Sequence, residues 1–114
     1  MLPAITARRY ERIGLHRGPL IAWQGPCGRS VSRVGTLGLG GLFIQDAQPA
    51  DIGESIKMVF KVPDGEVRAR AMVRDSRPGK GMGVEFTSMK TEDRARLRRL
   101  MRKLLSVAPD KSSN

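Results

Sequence analysis

Three arginines near the amino terminus are the first residues whose type and spacing could do chemistry. Arg8 and Arg12 stand four residues apart, with Arg9 between them. A guanidinium group presents a planar fork of N–H donors, which suits paired hydrogen bonds to a phosphate or to the N7/O6 edge of guanine. The same spacing is common on solvated tails, so the arginines by themselves fit either an anionic ligand or a solvated segment.

The residue types that most often carry catalysis form no comparable pattern. His16 is the single histidine and has no cysteine or serine beside it, and an isolated histidine without an orienting partner is a poor general base. Cys27 is the one cysteine and is interpreted as a small turn residue. The acidic residues are scattered and form no pair at a spacing that suggests catalysis, and no His/Cys cluster has metal-ligand spacing. We therefore predict that the protein is not an enzyme and holds no metal or resident cofactor.

A glycine-rich stretch, VGTLGLGGLFI at 34–44, is the second candidate site. Glycine weakens a strand interior and often marks a bend or a close approach to the backbone. The stretch lacks the Lys-Ser/Thr ending of a phosphate-binding loop and opens no helix, so it is not predicted to hydrolyse nucleotides. A phosphate, a neighbouring strand and a turn each explain such glycines.

Basic residues are concentrated at the two ends of the chain, whose formal net charge is +10. Residues 1–34 hold six basic and one acidic residue, 35–89 hold seven of each, and 90–114 hold eight basic and three acidic. An anionic partner is therefore expected at the termini, whether a nucleic acid, a phosphorylated ligand or a membrane surface. The plainer interpretation is that the charge only keeps a small domain in solution.

The middle of the chain predicts a mainly β domain. Alternating apolar and polar residues recur between turn residues, most clearly at 55–62 and 66–75. In the second run the apolar residues would face a core, while Arg68, Arg70 and Arg74 face outward. Several such strands separated by turns predict an antiparallel barrel or sandwich rather than a parallel βαβ fold.

A single helix is predicted after the last strand. Thr91 is predicted as its N-cap, and the two acids that follow suit the positive end of the helix dipole. Apolar residues recur at helical spacing from Leu97 to Leu105 and form one stripe, while arginines cover the rest. We interpret the basic surface as a solvated face first and as a protein-docking surface second. Nucleic acid is not expected, because aromatic or amide groups for base readout are not interleaved with the arginines.

These elements divide the chain into one domain with two flanking segments. No apolar run is long enough to span a membrane, and no secretory leader is evident, so a cytoplasmic location is expected. The predicted bounds are a basic arm at 1–18, a barrel at 19–89, a helix at 90–106 and a disordered tail at 107–114.

Taken together, the motifs resemble the PilZ domain family of bacterial cyclic di-GMP receptors. The family pattern is an RxxxR arm, a D/N-x-S-x-x-G segment running into a Gly-Gly-apolar strand, a GxGVxF strand and a helix. The corresponding stretches, in the same order, are RRYER (8–12), TLGLGGLFI (36–44), GMGVEF (81–86) and EDRARLRRLMRKLL (92–105). The resemblance implies a six-stranded antiparallel β-barrel with a C-terminal α-helix packed against it and a flexible N-terminal arm.

The resemblance also implies a ligand and the residues that hold it. Arg8 and Arg12 would contact the phosphates and guanine edges of cyclic di-GMP, with Arg9 nearby. Where family members often have a stacking aromatic residue, this chain offers Arg74, which could stack its guanidinium plane on a base or serve only as an exposed solubilising residue. Ligand binding would pull the arm over the barrel and change the surface shown to an unidentified protein partner. The predicted function is thus that of a non-enzymatic cyclic di-GMP adaptor.

One motif departs from the family pattern. The family's Asp/Asn position falls on Thr36, its Ser position on Gly38 and its Gly position on Gly41, so only the glycine is kept. Each lost hydrogen bond would cost about 1–3 kcal/mol, or roughly tenfold to a hundredfold in affinity. Main-chain N–H groups at Gly38 and Gly40 could recover part of that loss. The alternative is a degenerate PilZ domain that binds no nucleotide and acts as a protein-interaction module.

Overall fold

The computed structural model describes residues 12–112, and side chains for 12–106. Seven strands and one helix lie within these residues. They are β1 (Arg12–Gly14), β2 (Leu20–Gly25), β3 (Gly28–Gly38), β4 (Gly41–Gln45), β5 (Ser55–Val62), β6 (Gly65–Arg77), β7 (Gly81–Met89) and α1 (Thr91–Ser112). The predicted arm residues Arg8 and Arg9, and the last two residues of the predicted tail, lie outside the described residues.

Six strands close into an antiparallel barrel, which confirms the predicted fold. The strand order is β1-β3-β2-β5-β6-β7-β4, and an additional pairing of β3 with β4 closes the ring. The long strand β3 makes this closure possible, because its first half pairs with β2 and its second half with β4. Strand β1 is a short outer strand on the second half of β3, inside the segment that we assigned to the arm.

Alternation of side chains builds the barrel core. Along β5, and along β6 from Val67 to Val73, every second residue is buried, as predicted. The two strands pair in register from Ser55 with Met72 to Val62 with Gly65. Burying one such aliphatic or aromatic side chain contributes about 1.5–3 kcal/mol relative to leaving it exposed. The largest of the fully buried side chains are Phe60, Ile21, Leu37, Leu42, Ile44, Ile56, Met82 and Leu97.

A bulge in β3 decides which residues face outward near the glycine-rich stretch. Val34 pairs with Ile44 and Thr36 pairs with Phe43, so one residue of β3 is left without a partner on β4. An extra residue shifts the two-residue period by one position. Val34 and Leu37 both face the core, and Thr36 and Gly38 consequently belong to the outer face.

Helix α1 packs on the barrel with the apolar stripe that the sequence predicts. Leu97 and Met101 are buried, and Leu100 and Leu104 pack against the same core. The predicted N-cap is wrong by one residue, because the Lys90 carbonyl accepts the Arg94 N–H at 2.9 Å and Thr91 is already helical. The helix backbone continues to Ser112, past the end that we predicted at residue 106.

Candidate nucleotide-binding site

Strand β1 brings one predicted ligand-binding arginine to the glycine-rich stretch. In the β1–β3 ladder Arg12 stands opposite Gly38, and Gly14 stands opposite Thr36. Arg12 is exposed, Thr36 is half-buried and Gly38 is buried. The antiparallel register therefore places Arg12 beside the two positions at which this chain departs from the family motif.

The Arg12 side chain also reaches the first residue of β4. A Cβ added to Gly41 would lie 3.2 Å from Nη2 of Arg12, and it would collide with the carbonyl oxygen of Val84 on β7. The collision shows that glycine is needed at this position for β4 to approach β7. The missing side chain also lets the Arg12 guanidinium lie close to the backbone. One patch on the outer face is thus formed by Arg12, Gly38 and Gly41. In this patch the Arg12 guanidinium lies close to the backbone of glycines, which have no side chain.

Gly38 itself is less open than the sequence suggests. Its backbone is buried in the ladder opposite Arg12. The burial of Gly38 therefore works against direct approach of a phosphate to its backbone. The hydroxyl of Thr36, which is half-buried on the same outer face, is the more accessible polar group.

Arg74, the predicted stacking residue, joins the patch through a carboxylate that the sequence analysis missed. Its Nε–H donates to Oε1 of Glu85 at 2.7 Å, and both side chains are more than half exposed. Glu85 stands opposite Gly41 in the β4–β7 ladder. A signal for Glu85 existed, since it occupies one of the two unspecified positions of the GxGVxF pattern and alternates with the apolar Val84, which is buried while Glu85 is exposed.

The patch is suited to binding an anion. Two exposed guanidinium groups lie on either side of the β4–β7 ladder, that of Arg12 on β1 and that of Arg74 on β6. In the order of paired strands, the Glu85 carboxylate on β7 lies between them. Arg8 and Arg9 lie outside the described residues, so their part in the site stays a prediction. The described residues include no group of three or more His, Cys, Asp or Glu side chains that could hold a metal ion.

A separate concavity lies elsewhere on the described fold. An open groove of about 900 Å³ is lined by β2, β3, β5, β6, β7 and the start of α1, and its lining includes none of the predicted site residues. As for membrane insertion, none of the described residues forms a helix that is both long and apolar enough to cross a bilayer.

Solved structures share this fold at low sequence identity. The chain matches Bacillus subtilis MotI/DgrA, an inhibitor of motility, with a TM-score of 0.68 and 22% identity, covering 87% of this chain and 52% of that one. It matches the Klebsiella pneumoniae MrkH–c-di-GMP complex with a TM-score of 0.76 and 16% identity, covering 91% and 55%. This chain thus spans about half the length of either protein.

An isolated domain gives a match over almost its full length. The PilZ domain of Escherichia coli YcgR, solved with c-di-GMP, has a TM-score of 0.66 and 19% identity, covering 94% of this chain and 98% of that domain. No curated protein matches the sequence. The sequence model of the PilZ domain matches residues 7–103. This chain belongs to the PilZ domain family.

Proposed function

We propose that this protein binds cyclic di-GMP at the patch around Arg12 and acts as a cytoplasmic adaptor without enzymatic activity. The arm arginines Arg8, Arg9 and Arg12 would hold the phosphates and guanine edges. The outer face at Thr36, Gly38 and Gly41 would support the other side of the ligand. Ligand binding would draw the arm onto the barrel and alter the surface offered to a protein partner.

The observation that carries the proposal is the approach of the Arg12 guanidinium to Gly41, where Nη2 lies 3.2 Å from the position that a Cβ would take. The guanidinium of the RxxxR motif lies over the one glycine that this chain keeps from the D/N-x-S-x-x-G motif. Two motifs far apart in sequence are therefore adjacent on one outer face. The solved structures of MrkH and YcgR, which share this fold, are complexes with c-di-GMP.

Calorimetric titration with cyclic di-GMP tests the proposal. The wild type should give saturable heat, and Arg8→Ala and Arg12→Ala should each weaken binding about tenfold to a hundredfold, since charge-assisted hydrogen bonds contribute about 1.5–3 kcal/mol. Arg17→Ala removes the same charge from an exposed neighbouring position outside the motif and serves as the matched control. Equal weakening by all three substitutions would mean that only net charge attracts the ligand.

The residues that replace the family's D/N-x-S-x-x-G motif in this chain favour a second function. Gly38 is buried and carries no hydroxyl, and Thr36 offers a hydroxyl where the family has a carboxylate or amide. A domain with these losses would bind no nucleotide and would act only through protein contacts. Absence of saturable heat at hundreds of micromolar cyclic di-GMP would select this function.

A reverse substitution separates a weakened site from a misplaced one. Thr36→Asp with Gly38→Ser restores the acceptor and the hydroxyl of the family motif, and it should tighten cyclic di-GMP binding if the ligand lies against this face. Thr36→Val keeps the shape of the side chain and removes its hydroxyl, so it should weaken binding. An unchanged affinity in both variants would place the ligand away from β3.

A further inference from the structure

The groove of about 900 Å³ is a second outer surface, separate from the patch around Arg12. We name it the β2–β5 groove, because the outer faces of these two paired strands form its floor. Strands β3 and β6 flank the floor, and the first turn of α1 lines one end with Glu92 and with Asp93, which is paired with Arg96. No part of the proposed function assigns a role to this surface.

One row of the groove is cationic. The ladders align Arg29 with Gln24, Gln24 with Lys57, and Lys57 with Arg70, so the row crosses four neighbouring strands. Lys57 and Arg70 are directly opposite each other, which is an unfavourable arrangement for two like charges. Among the described residues, none of Arg29, Lys57 and Arg70 has an acidic partner within ion-pair distance.

The neighbouring row is apolar on β3, β2 and β5, and on β6 it ends at Arg68. Val31 stands opposite Ala22, and Ala22 stands opposite Val59. Val31 is 68% exposed, and Leu20, next on the same face of β2, is 55% exposed. These two are among the few large hydrophobic side chains that the described fold leaves open to solvent. An apolar row beside a row of unpaired cations favours a partner that is both apolar and acidic.

We propose that the β2–β5 groove docks an amphipathic acidic helix of a partner protein. The helix would lie across the strands, with its acids on the row of Arg29, Lys57 and Arg70 and its apolar side on the row of Val31, Ala22 and Val59.

Strand and helix geometry support this orientation. Neighbouring strands lie about 4.8 Å apart, so the cationic row spans about 14 Å from β3 to β6. Acids at positions i, i+4 and i+8 of a helix span about 12 Å, which matches this length. The two rows are two residues apart along each strand, or about 6.7 Å, which is within the diameter of a helix.

Other occupants fit the groove less well. A flat bilayer does not enter a concave surface. A second copy of this chain would bring a net charge of +10 onto a row of cations. Single-stranded nucleic acid relies on aromatic stacking, and Trp23, the one aromatic residue that lines the groove, is buried with its N–H bonded to Ser32. An acidic helix requires no such platform.

A fluorescein-labelled synthetic peptide tests the docking surface. The peptide is helical, carries Glu at i, i+4 and i+8 with Leu on the adjacent side, and is compared with the same peptide carrying Gln in place of Glu. Anisotropy should show saturable binding of the Glu peptide and at least tenfold weaker binding of the Gln peptide. Lys57→Gln with Arg70→Gln should reduce affinity for the Glu peptide at least tenfold.

A matched variant controls for net charge. Lys61→Gln with Lys80→Gln also removes two exposed positive charges, and both residues lie outside the groove. It should change peptide affinity less than twofold. Equal weakening by both double variants would overturn the proposal, and so would the absence of saturable binding. Tighter binding of an oligothymidine or of phosphatidylglycerol vesicles than of the Glu peptide would also overturn it.

Two further measurements keep this inference distinguishable from the proposed function. The groove variant should bind cyclic di-GMP as the wild type does, because no groove residue belongs to the patch around Arg12. It should also melt no lower than the wild type, since the substitutions relieve repulsion between Lys57 and Arg70. A groove variant that melts lower and loses both ligands would point to damaged folding and would contradict the assigned surface.

Discussion

Nε of Arg74 donates to Oε1 of Glu85 at 2.7 Å, on the outer face where an anionic ligand is proposed to bind. Glu85 also stands opposite Gly41, the residue that the Arg12 guanidinium covers. The carboxylate thus holds Arg74 in place and presents a negative charge to the same patch. A phosphorylated ligand would be repelled by this carboxylate and would compete with it for the arginine.

Glu85→Gln is therefore expected to tighten cyclic di-GMP binding. Removing one exposed like charge is worth about 1 kcal/mol, or roughly fivefold in affinity. Glu66→Gln is the matched control, because Glu66 is a half-exposed acid paired with Arg68 away from the patch. Titration of the two variants at one ionic strength checks the prediction, and an equal gain in both would show that only net charge matters.

The stacking role of Arg74 is tested separately. Arg74→Ala should weaken cyclic di-GMP binding about threefold to tenfold if its guanidinium packs on a base. Arg77→Ala removes an equally exposed arginine further along β6, also paired with an acid, and should have little effect. Unchanged affinity in Arg74→Ala would remove Arg74 from the proposed site.

Gly41→Ala should destabilise the barrel rather than alter binding alone. The added Cβ would collide with the Val84 carbonyl oxygen, and β4 would have to move away from β7. Forcing an extra methyl into a packed site costs about 1–3 kcal/mol. Gly14→Ala is the control, because a Cβ there meets no atom within 4 Å. Urea denaturation compares the two, and equal stabilities would contradict the close strand approach.

Most strand positions along the chain, and the buried faces of β5 and β6, followed from local patterns in the sequence. The alternation along β5 and β6, the turns between strands and the stripe of α1 are properties of neighbouring residues, and the structure confirms them. The family resemblance supplied the closed barrel. Local patterns alone allowed either a barrel or a sandwich.

Features that depend on pairing between distant residues could not be predicted in this way. The bulge between Val34 and Thr36 is defined only by the partner strand β4, and it decides which side Thr36 faces. The cationic row joins Arg29, from a basic segment, to Lys57 and Arg70, from a segment that is neutral in sequence. Charge counted along the chain places the basic surface at the termini and misses this row.

A series of hydrogen bonds beneath the barrel surface predicts that substitution of Ser32 lowers the stability of the fold. The indole N–H of Trp23 donates to Oγ of Ser32 at 2.9 Å, and the Ser32 hydroxyl donates to Oδ2 of Asp46 at 2.5 Å. Ser32→Ala leaves the buried indole donor unpaired, which costs about 1–3 kcal/mol. Ser30→Ala, a half-buried serine on the same strand, should cost less. Denaturation followed by the fluorescence of the single tryptophan measures both, and equal losses would contradict the role of the hydrogen bonds.

The contact between Asp64 and Arg99 joins the β5–β6 turn to α1, and it predicts a contribution to stability that depends on pH. Nε of Arg99 donates to Oδ2 of Asp64 at 2.7 Å, and this hydrogen bond lowers the pKa of Asp64 below its ordinary value of 3.8. The folded state therefore binds the proton more weakly than the unfolded state. The contribution to stability is present above the ordinary pKa and is lost as the pH falls through the lowered value.

Asp64→Asn should consequently lower the melting temperature at pH 7, and the difference from the wild type should shrink as the pH falls below the ordinary pKa of the carboxyl. Arg99→Gln should reproduce this behaviour, and the double variant should lose no more than either single one, because both substitutions remove the same contact. Arg98→Gln is the control, since Arg98 is an exposed neighbour without an ion pair among the described residues. Thermal melts between pH 2.5 and pH 7, followed by circular dichroism, measure the set. A difference that stays constant over this range would show that the contact with Arg99 does not stabilise the ionised carboxylate.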